Sequence, residues 1–390
     1  MAAYTTIDNS EAAFQAFTYT GTGVTGSTLA RTFDGSVNLK PGLFYQVRTE
    51  TDGYRTNIME NEYTGAGVHW LSSSGDAKGS SYSGGTKENL ESFDTNGFTH
   101  ATTNQGSYYH NQDGDGYVVW AWAESGASNA TNNDGTITST VRVNANVGLS
   151  FVNWTGTSAD GTIGHGLGER PKAIWMYPIQ VAANNGNTQR QWWWEANSDG
   201  YAISNGLNES QTAERNNLNG LVTADKSGEG TSTVFSVKEQ NSSYEGVNHS
   251  SQNYLAICWK EIQGFSKFGS YIGNGIDNGP FVFCGFKPAL VMIRVMDRAE
   301  GTFCYDDARN PVNDDTSYII GVNDNQANLA DTNTRFDFLS NGFKIRDNGP
   351  ARNTSGSKYA FMAWARNPFV TSTGIPTVAR EKYVGISRIR

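Results

Sequence analysis

The stretch KYAFMAWARNPF (residues 358–369) alternates side chains like a strand, and it has two earlier counterparts, GYVVWAWAES (116–125) and NYLAICWKEI (253–262). Successive side chains of a strand point to opposite faces. Ala360, Met362 and Trp364 then share one face, and Phe361, Ala363 and Ala365 the other. A strand apolar on both faces belongs in the middle of a packed sheet. Trp364, with Trp122 and Trp259 at the equivalent places, therefore reads as a core residue rather than a ligand platform.

Around each of these strands the same order of signals returns, three times in all. Each unit opens on an aromatic strand that ends in glycine: FTYTGTG (17–23), FVNWTGT (151–157) and FGSYIGNG (268–275). A proline followed by an apolar strand comes next, in LKPGLFYQVR (39–48), GERPKAIWMYP (168–178) and GFKPALVMIRV (285–295). Proline at a strand start removes an N–H that the ladder does not need. Two units add a hairpin signal, SFDTNGFTH (92–100) and DFLSNGFKI (337–345), in which Asn96-Gly97 and Asn341-Gly342 join apolar runs. The middle unit has no Asn-Gly at this penultimate position, before its closing strand, so its turn there is expected to be built differently.

This pattern predicts an all-β chain of three tandem antiparallel β-sandwich units of jelly-roll or concanavalin-like type, each of about 100 residues. The expected divisions are an N-terminal anchor segment (1–16), unit 1 (17–124), a linker (125–146), unit 2 (147–263), unit 3 (264–369) and an extended basic C-terminal tail (370–390). Within DNSEAAFQAF (8–17), Asn9 or Ser10 as N-cap and Phe14 and Phe17 three apart predict a short helix of two turns.

Composition narrows the function classes. Charged residues are 17% of the chain and the net charge is -9, with no Lys/Arg cluster before the last dozen residues. A face that neutralises phosphates is therefore not expected, and nucleic acid is not a predicted partner. No apolar run reaches the roughly 18 residues that would span a bilayer, so membrane insertion is not expected either. MAAYTTIDNS lacks the basic start and apolar stretch of a signal peptide. The expectation is a protein made in the cytoplasm with an extracellular type of surface, which release by lysis would reconcile. Cys258, Cys284 and Cys304 match no zinc or redox spacing and read as buried thiols, with pairing of Cys284 and Cys304 left open.

Catalytic signals are thin. None of the five histidines lies in a recognised catalytic setting, and His165 in GHGLG (164–168) reads as a turn residue bonded to backbone. Glycoside cleavage needs two carboxyl groups about 5 to 10 Å apart. Glu60, Glu62, Glu195, Asp306 and Asp307 are the candidates. Asp306 and Asp307 are adjacent and would point to opposite faces of a strand, while Asp307 and Arg309 would share one as an ion pair. No catalytic residue and no cofactor are predicted. NQDGDGY (111–117) alternates oxygen side chains with glycine, which makes Asp113 and Asp115 a weak calcium candidate. In QRQWWWEANSDGY (189–201), a strand would turn Trp193 away from Trp192 and Trp194, leaving an indole for a sugar ring or a protein surface. Exposure of an indole forgoes about 4 to 6 kcal/mol of burial. Tyr108 and Tyr109 in SYYHNQ (107–112) carry a weaker form of the same signal. In the tail, Arg380, Lys382, Arg388 and Arg390 face one acid, Glu381, which suits docking on a neighbouring subunit of a homo-oligomer.

AAYTTIDNSEAAFQ (2–15), GTIGHGLGERPKAIW (161–175), GFSKFGSYIGNGIDNGPFVFCGFKPALVMIR (264–294), DDARNP (306–311), FLSNGFKIRDNGPARNTSGSKYAFMAWARNPF (338–369) and VTSTGIPTVAR (370–380) together resemble repeat-containing virion structural or tail-fibre-like proteins of tailed marine bacteriophages. The segments at 49–70, 192–201 and 381–390 depart from that text. The resemblance implies a non-enzymatic virion surface protein, a tail- or capsid-associated accessory or decoration subunit. Its implied partners are other virion proteins and a host surface glycan. A receptor-binding tail fibre proper and a polysaccharide depolymerase are the alternatives.

Overall fold

The computed structural model describes residues 4–24, 28–49, 57–60, 69–72, 90–101, 111–178, 191–194, 202–204, 230–237, 248–250, 252–297, 300, 302–311, 313, 317–321, 329–331 and 335–377. The described residues are nearly all β, in antiparallel sheets. Each repeat builds a larger inner sheet and a smaller outer one. In every inner sheet the closing strand lies between the opening strand and the proline strand. In unit 1 Gly116–Ala123 pairs with Phe14–Thr20 and Pro41–Arg48. In unit 2 Asn253–Trp259 lies between Leu149–Thr155 and Ala173–Pro178. In unit 3 Lys358–Pro368 lies between Ser266–Ile272 and Phe286–Val295. The outer sheets are Thr28–Arg31 with Gly97–Ala101 and Leu90–Asp94, Gly161–Gly164 with Val234–Val237, and Phe281–Phe283 with Gly342–Ile345 and Phe336–Leu339.

The central position of the closing strands follows from their apolarity on both faces, and the two faces have separate tasks. Val118, Trp120 and Trp122, with Leu255, Ile257 and Trp259 and with Ala360, Met362 and Trp364, enter one core shared by all three units. The alternate residues Tyr117, Val119 and Ala121 line the sandwich of unit 1, and Tyr254, Ala256 and Cys258 that of unit 2. At the middle of the shared core the rings of Trp122, Trp259 and Trp364 meet edge-to-face, with centroids 5.0 to 5.2 Å apart in each pair. The three units therefore gather round a three-way junction and do not string out as beads. Trp122, Trp259 and Trp364 are core residues, as read from the sequence.

Both ends of the chain close this arrangement. The expected two-turn helix is a single 3-10 turn, Ser10–Ala12, capped by Asn9, whose side chain accepts from the Glu11 N–H. A two-turn helix is marginal alone, and here the chain gains more by pairing: Phe14 already opposes Trp122 in register, and its ring packs on Trp122 and Trp364. As strand residues, Phe14 and Phe17 take opposite faces, and Phe17 packs on Phe33 in the sandwich. The anchor segment docks on the third unit of its own chain. Glu11 Oε1 lies 3.0 Å from Arg366 Nη1, and the Tyr4 hydroxyl donates to the Gly285 carbonyl at 2.8 Å. Asp8 accepts from the Ser372 N–H and hydroxyl, each at 2.6 Å.

The segment expected to be a linker, 125–146, is partly sheet. Ala130–Asn132 and Ser139–Asn144 extend the inner sheet of unit 2 beyond Leu149–Thr155, because alternating Ser139, Val141 and Val143 fit an edge next to Phe151 and Val152. Asn144 Nδ2 donates to the carbonyls of Ala123 and Glu124, fastening unit 1 to unit 2.

Candidate functional site

Every repeat builds its opening-to-closing corner from the same parts. A buried asparagine stands six residues before the closing-strand tyrosine, as Asn111, Asn248 and Asn353 before Tyr117, Tyr254 and Tyr359. Each tyrosine hydroxyl accepts the N–H five residues back, from Gln112, His249 and Thr354, at 2.9, 3.0 and 2.7 Å. Burial pushes the Tyr117 and Tyr254 hydroxyls up to about 12, so they stay neutral. Each asparagine side chain ties down the loop after the opening strand. Asn353 Nδ2 reaches Asn274 Oδ1 and the carbonyls of Ile276 and Asp347, and Asn111 Oδ1 accepts from the Thr22 N–H. The asparagine carbonyls accept from Gly23, Ser158 and Gly275, all with positive φ. The sequence signal for this corner was the spacing Asn-x5-Tyr-x4-Trp, which is as regular as the tryptophans themselves.

The residues singled out for chemistry are mostly committed to the fold. His165 is fully buried: its Nδ1 accepts from the Leu167 N–H and its Nε2 faces the Thr231 carbonyl, with burial holding its pKa down. Arg309 pairs with Asp306, not with Asp307 as expected. The strand Thr302–Asp306 ends at Asp306 and a turn brings Arg309 back over it. Asp307 instead accepts from Arg366 Nη2 and Nε, at 2.5 and 2.7 Å. Asp115 of the weak calcium candidate faces the Arg48 guanidinium, which already supplies a cation. Among the described residues, no group of three His, Cys, Asp or Glu side chains could hold a metal ion.

Of the tryptophan run, Gln191–Trp194 is a strand on the edge of Ala173–Pro178, with Trp192 opposite Trp175 and Trp193 opposite Ile174. Trp194 is 3% exposed and joins the shared core, so it is no glycan contact. Tyr108, Tyr109, Glu62, Glu195 and the tail residues Arg380, Lys382, Arg388 and Arg390 lie outside the described residues. Cys258, Cys284 and Cys304 are free buried thiols.

What remains for a partner is apolar surface, and most of what is described belongs to one unit. Among the described residues the exposed large hydrophobics are Val24 and then Ile272, Ile276, Phe281, Phe283, Phe369 and Ile375, all in unit 3 or just after it. Phe281 and Phe283 flank buried Val282 on the outer-sheet edge strand. Their exposures of 47% and 58% are high for rings of that size. Phe281 and Phe283, two apart on one face of that strand, are the adjoining pair among them, and adjoining apolar area marks an interaction site far better than scattered groups.

Residues 8–368 match the model of a family described as a domain of unknown function, DUF7483. The chain belongs to that family. No curated protein matches this DUF7483 chain. Among solved structures, the major capsid protein P2 from bacteriophage PM2 is similar at 13% identity and a TM-score of 0.17, covering 57% of the DUF7483 chain and 100% of its own. That score is too low to bear on fold or function. No helix among the described residues of the DUF7483 chain is long and apolar enough to cross a membrane.

Proposed function

We propose that this chain is a non-enzymatic virion structural protein, an accessory or decoration subunit of a phage tail or capsid that works through surface contacts. The observation that carries the reading is the gathering of exposed apolar side chains on unit 3, with Ile272, Ile276, Phe281 and Phe283 within one unit. The sequence resemblance to repeat-containing phage virion proteins supplies the kind of assembly. The ion pairs Asp306–Arg309, Asp307–Arg366 and Asp347–Arg352 support a structural use of the carboxylates. Host-glycan attachment is the finer second role, and it now rests on Trp192 and Trp193, since Trp194 is buried.

The test is to purify the particles and locate the chain by cryo-EM and mass spectrometry. The expected result is density for the three-unit body on the tail or capsid, with unit 3 against another virion protein. Absence of the chain from purified particles, or a body attached through unit 1 or unit 2 with unit 3 facing solvent, would overturn the reading.

A further inference from the structure

The three outer-sheet edge strands are equivalent, since each sets its inward residue against a buried phenylalanine: Arg31 opposite Phe98, Ile163 opposite Phe235, and Val282 opposite Phe343. Their outer sides differ. Unit 1 offers Thr28 and Ala30, which are small or polar. In unit 2 the strand is covered by the chain that precedes it: the Ile137 N–H donates to the Thr162 carbonyl at 3.0 Å, and the Thr162 N–H donates to Thr136 Oγ1 at 2.8 Å. In unit 3 the same place holds Phe281, and no strand among the described residues pairs beyond it.

That edge is ready to accept a strand. Pro280 and Cys284 bond inward, through Ile345 N–H to the Pro280 carbonyl and Cys284 N–H to the Asn341 carbonyl. Antiparallel pairing alternates between bonded and non-bonded pairs. The N–H and C=O groups of Phe281 and Phe283 therefore point out to the open side. Open strand edges with apolar side chains are normally protected.

Unit 3 has no spare chain before it, because Trp259 closes unit 2 and Ser266 already begins the next opening strand. The spare chain comes after it, and it starts beside the residue that follows the edge strand by two positions, where the inner-sheet ladder begins. Phe369 N–H donates to the Gly285 carbonyl, and Thr377 N–H donates to the Phe369 carbonyl, each at 3.2 Å. Gly285 is two residues past Phe283. Residues 378–390 follow, VAREKYVGISRIR, with β-formers at Tyr383, Val384, Ile386 and Ile389. Those residues carry a net +3, which leaves -12 on the rest of the chain. At about 3.3 Å per residue, a few extended residues reach Phe281.

We propose that the C-terminal segment 378–390 adds as a strand to the Phe281–Phe283 edge of its own unit 3, bonding the outward N–H and C=O groups and covering the two phenyl rings. It does for unit 3 what residues 136–137 do for unit 2. The inference goes beyond the virion reading: it leaves Ile272 and Ile276 as the part of the apolar surface free for a partner.

The test is residue-resolved hydrogen exchange on the isolated full chain, on a chain ending at Thr377, and on Ile386→Pro, which deletes one tail N–H and keeps the length. Exchange at Phe281 and Phe283 is expected to speed up by about tenfold on truncation, and in the same direction with Ile386→Pro, while Val282 is unchanged. The protection in the full chain should not depend on concentration. Equal exchange in all three chains overturns the proposal. Protection that grows with concentration alongside a dimer also overturns it, in favour of a second copy's tail. Because the measurement is made on the free chain, failure of the virion reading leaves it untouched.

Discussion

Trp122 and Trp364 meet edge-to-face with ring centroids 5.0 Å apart and planes at 72°, across the junction of the first and third units. Aromatic pairs of this kind couple by about 0.5–1.5 kcal/mol beyond the area they bury. In a double-mutant cycle by chemical denaturation, Trp122→Leu and Trp364→Leu are expected to couple by that amount. Trp122→Leu and Trp154→Leu, which sit in separate cores, should add within about 0.5 kcal/mol. Trp364→Ala alone should cost about 3–5 kcal/mol.

Gly97 and Gly342 end equivalent hairpin turns, and a Cβ on either would lie 2.0 Å from a carbonyl oxygen of the outer edge strand, Arg31 or Val282. Gly342→Ala should therefore cost at least about 2 kcal/mol through displacement of that strand. Gly356→Ala, at φ +81 with open space around it, should cost only about 1 kcal/mol. Denaturation midpoints of the two variants check the order, and equal costs would contradict the close approach.

Asn353 makes three donor contacts inside the unit 3 corner, so Asn353→Ala leaves buried carbonyls unpaired. The expected loss is about 2–3 kcal/mol. Asn111→Ala and Asn248→Ala should fall in the same direction, since the corner is repeated. A loss confined to one of the three would count against a common corner.

Asp347 is held below the usual carboxylate range: burial pushes it up, but Arg352, the Gly349 N–H and Arg335 outweigh that. A lowered folded pKa means that its stabilisation is present above the unfolded value of about 3.9 and is lost as the pH falls through the folded value. Stability should therefore drop below about pH 4, and Asp347→Asn should flatten that limb while lowering stability at pH 7. Denaturation midpoints from pH 7 to pH 2.5 give the comparison.

Burial pushes the thiols of Cys258, Cys284 and Cys304 upward. A thiol-specific chromogenic reagent is expected to label none of them in the native chain and all three after unfolding. Rapid native labelling would show an open path to the core.

Much of this fold was legible in the sequence because its rules are local. Alternation on both faces placed the closing strands at the sheet centres, and the backbone bonds of His165 followed from its glycine-flanked turn. What escaped were effects of distant chain. Phe14 reads as helical until the closing strand offers it a seven-residue partner. Arg309 reads as the partner of Asp307 until the strand ends one residue earlier. Trp194 reads as a candidate contact until the shared core of the three units takes it in. The candidate surface was hidden for the opposite reason: FVF at 281–283 has no polar residue to mark an exposed face, and only the topology shows that its sheet stops there among the described residues.

The bond between Glu11 and Arg366 joins residues 355 apart and brings the first unit back to the third. Three identical subunits in such a closed arrangement would display every feature three times. One polypeptide that circles back on itself can let its blocks diverge, so that a single flank carries an aromatic edge while its two counterparts stay polar or shielded. The result is a body whose three repeats keep a common frame while their outer edges differ.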